Sequence, residues 1–210
     1  MKSKNAFARL KKEERERRRC IILDAAERVF ASTPFTEVNM RRIAREAGIS
    51  AASIYTYFPD QETLFVETYL RRVGDMHEMF EKTISEAMPD EVMESIALSY
   101  LDYFIEQDAY FRMMAHFMLY AELNPESLEK LNRTERAMMD IFERAFKKGG
   151  AGGNTRLLAH AFFAGLNGIL ISFRRYPGRK EEEVRRHMHR LGVLLCRQLR
   201  GNPPSSLSQL

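Results

Sequence analysis

The chain is poor in the residues that staple a fold or cross a bilayer. It has two cysteines, no tryptophan and seven prolines. Cys20 and Cys196 lie far apart, with no histidine cluster at ligand spacing beside them. That argues against a disulfide framework or a zinc-type site and fits a reducing cytoplasm. Structural free thiols are the plain reading; redox sensing is the other. No run of about 18 apolar residues occurs, so no membrane span is expected. The charged N-terminus has no apolar h-region of a signal peptide. Catalytic patterns are missing too: there is no Ser-His-Asp set, P-loop, nucleotide fingerprint or metal-ligand spacing. The glycines Gly149, Gly150, Gly152 and Gly153 follow no strand and precede no Lys-Ser/Thr, so they make no phosphate loop. His116, His160, His187 and His189 are scattered. His187 and His189 face different sides of a helix. No enzyme, cofactor, metal or membrane partner is expected.

What is present is an apolar fraction of 45% with 30% charge in 210 residues, enough for one large or two small domains with a real core. The net charge of +4 is unevenly spread. Residues 1–58 carry 13 Lys/Arg against 7 Asp/Glu, and residues 59–210 carry 20 against 22. A basic segment joined to a near-neutral one is the balance of a nucleic-acid module attached to another domain.

The hydrophobic period is helical throughout, with no strand pattern and no repeat, so the fold class is all-α. Residues 1–12 are basic and aperiodic and read as an arm: a disordered tail, or a contact to phosphates or the minor groove. Helix 1 is expected over 13–32, with Ile22, Ala25, Ala26, Val29 and Phe30 on one face and Arg15, Arg17, Arg18 and Arg19 at its start. Pro34 ends it and Phe35 anchors the connection. Helix 2 is expected over 40–47, helix 3 over 51–57 before Pro59, and helix 4 over 61–87 behind an Asp60 cap. Five more follow at about 89–107, 109–123, 126–148, 155–176 and 180–200. The end, GNPPSSLSQL, reads as a disordered tail over 202–210.

The stretch Asn39 to Phe58 carries the sharpest signal. Ile43, Ala44 and Ala47 make one apolar face, Gly48 supplies a positive φ, and Ser50 is a good N-cap. Ile54 and Tyr57 face back. This is a helix-turn-helix pattern, in which the second helix reads base edges; an ordinary αα-corner is the alternative.

Ile22-Leu23-Asp24-Ala25-Ala26, Val29-Phe30, Ile43-Ala44, Ala47-Gly48-Ile49-Ser50 and Ile54-Tyr55-Thr56-Tyr57-Phe58 resemble the N-terminal domain of the tetracycline-repressor (TetR) family. The signature covers about residues 15–65. The resemblance implies a three-helix DNA-binding domain, here 1–58, and a C-terminal helical ligand-binding and dimerisation domain, here 59–201. Carried over by position, the DNA-facing set is Asn39, Arg41, Ser50, Ala51, Ala52, Ser53, Tyr55, Thr56, Tyr57 and Gln61. Tyr57 has core packing as its other reading, and Arg42 and Arg45 read as solvated. The chain departs from the family at Pro34, where a glycine is usual, and at Val38 and Asn39, usually Thr/Ser. It departs again at Ala51-Ala52, usually a Lys/Arg-Gly pair, and at Gln61, usually a lysine. Those changes remove basic contacts, which the arginines of helix 1 can compensate.

Residues 76–139 hold nine of the twelve Met together with many aromatics. Met suits an adaptable binding surface, and it equally fills a plain core. As an effector site the candidates are Tyr103, Phe104, Met114, His116, Phe117, Met138 and Asn167; His116 has a satisfied core histidine as its alternative. Small and apolar residues on the last two helices point to a homodimer through Ala161, Phe162, Gly165, Ile169, Met188, Leu191 and Leu195, as in a four-helix bundle. The expected function is a ligand-responsive repressor that binds a palindromic operator in double-stranded DNA and is released by a small apolar or aromatic effector. A helical small-molecule carrier or protein-interaction module without sequence-specific DNA binding is the alternative.

Overall fold

The computed structural model describes residues 2–33, 37–120 and 123–201. Among them are nine helices and no strand: α1 (Lys2–Ser32), α2 (Met40–Glu46), α3 (Ala51–Ile54), α4 (Gln61–Glu86), α5 (Val92–Glu106), α6 (Asp108–Tyr120), α7 (Pro125–Lys148), α8 (Thr155–Phe173) and α9 (Glu181–Gly201). Pro34, Phe35 and the 202–210 tail lie outside the described residues.

Two differences from the sequence reading matter. Helix α1 begins at Lys2, so residues 2–12 continue the helix rather than form an aperiodic arm. The segment contains no Gly or Pro, and Arg9–Glu13 and Arg18–Glu14 pair one turn apart, which favours helix without burial. Phe7 and Leu10 are accordingly exposed. Helix α3 is a single turn, after which Tyr57 and Phe58 both donate their backbone N–H to the Ile54 carbonyl at 3.0 Å. Pro59 disfavours helical geometry at the residue before it, so the turn tightens and stops.

Packing divides the chain into two compact units, Met1–Arg72 with Arg112–Glu129, and Val73–Phe111 with Lys130–Leu210. The first therefore extends past residue 58 into α4. Its core joins Ile22, Ala25, Ala26, Val29 and Phe30 of α1 to Ile43, Ala44, Ile54, Phe58, Leu64 and Phe65. The Phe65 ring lies edge-on to Phe30 at 4.8 Å and against Phe117 at 4.7 Å. Ion pairs tie α4 to α1: Arg71 to Asp24 at 2.7 Å and to Glu27 at 2.8 Å, Arg72 to Glu27 at 2.7 Å, and Arg19 to Glu67 at 3.0 Å. Burial pulls the Arg71 guanidinium down, but its bonds to Asp24 and Glu27 outweigh that and hold it above its ordinary value. From α6, Arg112 donates to the Phe30 and Ala31 carbonyls, closing the C-terminal end of α1.

The second unit is built on aromatic rings. Phe80, Tyr100, Phe104, Phe142, Phe146 and Phe162 are all fully buried. Phe142 touches the rings of Phe80, Tyr100 and Phe162, centroid to centroid at 6.0, 6.1 and 5.2 Å. Asn154 caps α8 through Leu157 N–H at 3.0 Å. Helix α9 packs closely on its neighbours through glycine. A Cβ on Gly192 would come within 2.9 Å of Leu101 on α5, and one on Gly165 of α8 within 2.6 Å of Leu195 on α9. By length and composition, α8 is the one described helix apolar enough to cross a membrane, yet only 33% of that window is buried within the chain. Leu158, Ala159, Phe162, Leu166 and Leu170 face inward, while Leu157, Ala161, Ala164, Gly168 and Ile171 form an exposed stripe.

Candidate nucleic-acid interface

The α2–α3 unit is assembled by local hydrogen bonds that its sequence specifies. Asn39 is extended at φ −148°, and its side-chain oxygen accepts from Arg42 N–H at 3.0 Å. Met40, Ile43 and Ala44 are the buried face of α2. The turn closes through Gly48 N–H to the Arg45 carbonyl at 3.1 Å and Ile49 N–H to the Ala44 carbonyl at 2.9 Å. Gly48 sits at φ 69°, the left-handed region where a side chain is disfavoured. Ser50 then caps α3, its hydroxyl accepting from Ser53 N–H at 3.0 Å and pairing with the Ser53 hydroxyl at 2.7 Å. Ile54 is wholly buried and pins the second helix to the first.

Of the expected DNA-facing set, Asn39, Arg41, Ser50, Ala52, Ser53, Tyr55 and Thr56 are exposed, and Ala51, Tyr57 and Gln61 are half-buried. Tyr55 is 53% exposed. Tyr57 divides its surface: Arg15 lies over its ring at 6.0 Å, and Arg18, which donates to Glu14, has its pKa held above the ordinary value by Glu14 and then by Tyr57. The unit is braced from behind. Arg19 stacks on the buried Phe58 ring at 4.7 Å, Arg28 bonds Glu46 across α1 and α2 at 2.6 Å, and Asp60 caps α4 through Thr63 N–H at 2.6 Å.

Most arginines of the first unit have a partner. Arg9, Arg18, Arg19, Arg28, Arg71 and Arg72 pair with carboxylates, Arg15 lies over a ring, and Arg112 meets carbonyls. Among the described residues of this unit, Arg17, Arg41, Arg42 and Arg45 have neither hydrogen bond, ion pair nor ring contact from their side chains, and all four are exposed. Sequence reasoning singled out Arg41 alone of the three on α2. Whether an arginine is paired depends on chain segments far from it in sequence, so no local signal distinguishes Arg45 from Arg28.

The effector candidates fall in both units. Tyr103, Phe104, Met138 and Asn167 belong to the second, and Met114, His116 and Phe117 to the first. Asn167 is engaged in the core, accepting from Tyr100 Oη at 3.0 Å and donating to the Phe163 carbonyl at 2.9 Å. Burial lowers the pKa of His116, whose ring meets Phe65 edge-on at 5.4 Å. Glu135 on α7, three residues before Met138, has its carboxyl pKa raised by burial. Sequence reasoning passed it over because a glutamate on an amphipathic helix ordinarily faces water. Of the expected dimer residues, Ala161 is exposed and Ile169 and Leu191 are half-buried. Phe162 and Met188 lie inside their own unit, and Gly165 faces Leu195 of the same chain.

A capped helix, a glycine turn and a second capped helix with an exposed polar and small-residue face, flanked by unpaired arginines, define a helix-turn-helix DNA-binding protein. Residues 22–68 match the model of the bacterial regulatory proteins of the tetR family. That match covers the helix-turn-helix segment, and over it the chain is similar to TetR-type bacterial transcriptional regulators. It is 23% identical over 128 residues to a fatty acid metabolism regulator protein of Bacillus subtilis, covering 61% of this chain and 66% of that one. It is 30% identical over 89 residues to the regulator EthR of Mycobacterium tuberculosis, covering 42% and 41%. The match thus spans about two thirds of the first relative and under half of the second. In fold, it is similar to FadR from Bacillus subtilis in complex with stearoyl-CoA, with a TM-score of 0.70 at 19% identity over 87% of this chain and 97% of that one. It is also similar to NalD, the secondary repressor of the MexAB-OprM multidrug efflux pump in Pseudomonas aeruginosa, with a TM-score of 0.63 at 22% identity over 87% and 96%.

Proposed function

We propose that this regulator is a ligand-responsive repressor, which binds a palindromic operator as a homodimer in the cytoplasm and is released by an apolar or aromatic effector. The observation that carries the reading is the group of unpaired arginines, Arg41, Arg42 and Arg45, beside the exposed Tyr55 and Thr56. Residues 1–58 bind DNA, and residues 59–201 bind effector and dimerise. The arginines meet phosphates as planar forks, while Ala51, Ala52 and the Thr56 methyl suit thymine methyls and Ser53 a base edge. With few long polar side chains among the readers, site choice leans on DNA shape as well.

The second copy docks on the stripe Leu157, Ala161, Ala164, Gly168 and Ile171 of α8, with Leu194 of α9, which is 51% exposed. Small residues at such spacing let two helices approach closely. The effector enters the Met- and aromatic-rich interior. Because one solved structure of similar fold holds stearoyl-CoA, a long-chain acyl thioester is the first effector to try. The ligand must favour the released form to shift the DNA equilibrium; tight binding alone does not.

Selection of bound sites from a random duplex pool, repeated with stearoyl-CoA and with an apolar-compound panel, tests the reading. The expected result is a palindrome with half-sites about one helical turn apart, binding that weakens steeply with salt, and loss of enrichment with at least one effector. Absence of any enriched palindrome, or salt-independent binding, would overturn it.

A further inference from the structure

The second unit uses its arginines economically. Arg144 pairs with Glu81, Arg156 with Asp140, Arg174 and Arg175 with Asp108, Arg185 with Asp102 and Glu106, and Arg197 with Glu94. Arg186 and Arg200 donate to the Glu182 and Pro89 carbonyls, and Arg133 and Arg136 are also engaged. Among the described residues of this unit, two arginines have no partner, Arg179 and Arg190. They are 11 positions apart in sequence, and both line one cavity.

That cavity, of about 380 Å³, lies where the C-terminal end of α8 turns into α9. It is the size of a small-ligand pocket, toward the low end of the range of roughly 300–1,000 Å³. Its walls are flat. The Phe173 and Tyr176 rings lie within 25° of parallel, with centroids 6.2 Å apart, and the His187 ring meets Phe173 edge-on at 4.9 Å. Val184, which is buried, adds an aliphatic surface. The remaining lining group is Glu183, whose carboxylate accepts a long bond from Lys180 N–H at 3.4 Å. Two guanidiniums against this one carboxylate leave a single positive charge from the three groups. Such a lining attracts one negative charge and repels a second by way of Glu183. Ring faces beside forked donors suit a flat molecule that ends in a carboxylate.

We propose that this corner binds a planar aromatic monoanion, an aryl carboxylate of one or two fused rings, with its ring against Phe173 and Tyr176 and its carboxylate on Arg179 and Arg190. None of the candidate effector residues of the interior lines the cavity, so the proposal does not depend on the repressor reading. A ligand here is a second input to the same chain.

The test uses the full chain and 2-naphthoate, followed by titration calorimetry at low salt. One ligand per chain is expected. The uncharged isostere 2-naphthamide should bind at least about tenfold more weakly, the loss that follows when a charge-assisted bond is removed. Arg179→Ala and Arg190→Ala should each weaken 2-naphthoate by about fivefold or more, and Tyr176→Ala should weaken the acid and the amide alike. Arg186→Ala, on the same helix but outside the cavity, should leave binding unchanged. These are exposed positions, and circular dichroism verifies that each variant is folded. No heat of binding at millimolar 2-naphthoate would overturn the proposal. So would equal affinity for acid and amide, or full binding that persists in the Arg179→Ala/Arg190→Ala double variant.

Discussion

The two units hold themselves together by different means. The first joins α1 to α4 with carboxylate–guanidinium pairs, in which Glu27 is shared between Arg71 and Arg72. The second relies on stacked and edge-on rings around Phe142 and Tyr100, with one buried polar link from Tyr100 to Asn167. Both nevertheless treat unneeded cations alike. Among the described residues, three of the four arginines left over in the first unit lie on α2 of the helix-turn-helix, and both of those left over in the second line the α8–α9 corner. Counting arginines says little about where anions bind, because most of the positive charge in this chain is already neutralised by its own carboxylates. What marks an anion site is a cation that folding does not use.

The contrast between ring-held and charge-held units can be broken most forcefully at Phe142. Its side chain is wholly buried among four rings, so Phe142→Ala should cost about 3–5 kcal/mol in denaturant unfolding. Removing the charged hub of the first unit should cost less. Glu27→Ala removes the carboxylate shared by Arg71 and Arg72, but Arg71 keeps Asp24 and these pairs are partly exposed. A loss of about 1–2 kcal/mol is expected, between the surface and buried limits, and it should shrink as salt is added because part of the lost attraction is screened. Equal costs for the two variants would erase the distinction. The unused arginines should then show the opposite profile. Arg41→Ala and Arg45→Ala should leave the melting temperature unchanged, while each lowers DNA affinity for all sequences alike and reduces the salt slope by about one. A variant that loses stability but not salt dependence would show that its guanidinium serves the fold.

How much of this was legible in the sequence follows from how local each feature is. Asn39, Gly48 and Ser50 act on backbone groups within three to five residues, so the helix-turn-helix could be read directly, and so could the cap at Asp60. The helicity of residues 2–12 could not be read from hydrophobic period, since residues 7–12 are all exposed and the i,i+4 pairs supply no apolar pattern. On α8 the period misleads in another way. A helix apolar on most sides does not announce which side turns inward, so the expected partner surface includes Phe162, which fills its own core, as well as Ala161, which lies on the exposed stripe, and it leaves out the exposed Leu157 and Ile171 at the two ends of that stripe. Arg179 and Arg190 are invisible to any local reading. Their significance lies in the partners that Arg174, Arg175 and Arg185 found and they did not.

The two cysteines offer the finest comparison, one in each unit. Cys196 is fully buried on α9, and its thiol donates to the Met93 carbonyl at 3.3 Å. Burial, seconded by Glu94, pushes its pKa up to about 12. Cys20 is exposed on α1 between Arg19 and Ile21. Since the thiolate is the reacting species, iodoacetamide at pH 8 should label one thiol per native chain, at Cys20, and two after unfolding in guanidinium chloride. Peptide mapping by mass spectrometry identifies the site. Labelling Cys20 should leave the melting temperature unchanged, because its side chain supports no packing. The rate at which Cys196 becomes labelled under native conditions then measures opening of the second unit alone. That rate should rise in Phe142→Ala and stay put in Glu27→Ala if the ring-held and charge-held units open independently. A parallel rise in both variants would mean that the chain opens as a single cooperative body, and the difference between the units would be one of composition without a thermodynamic consequence.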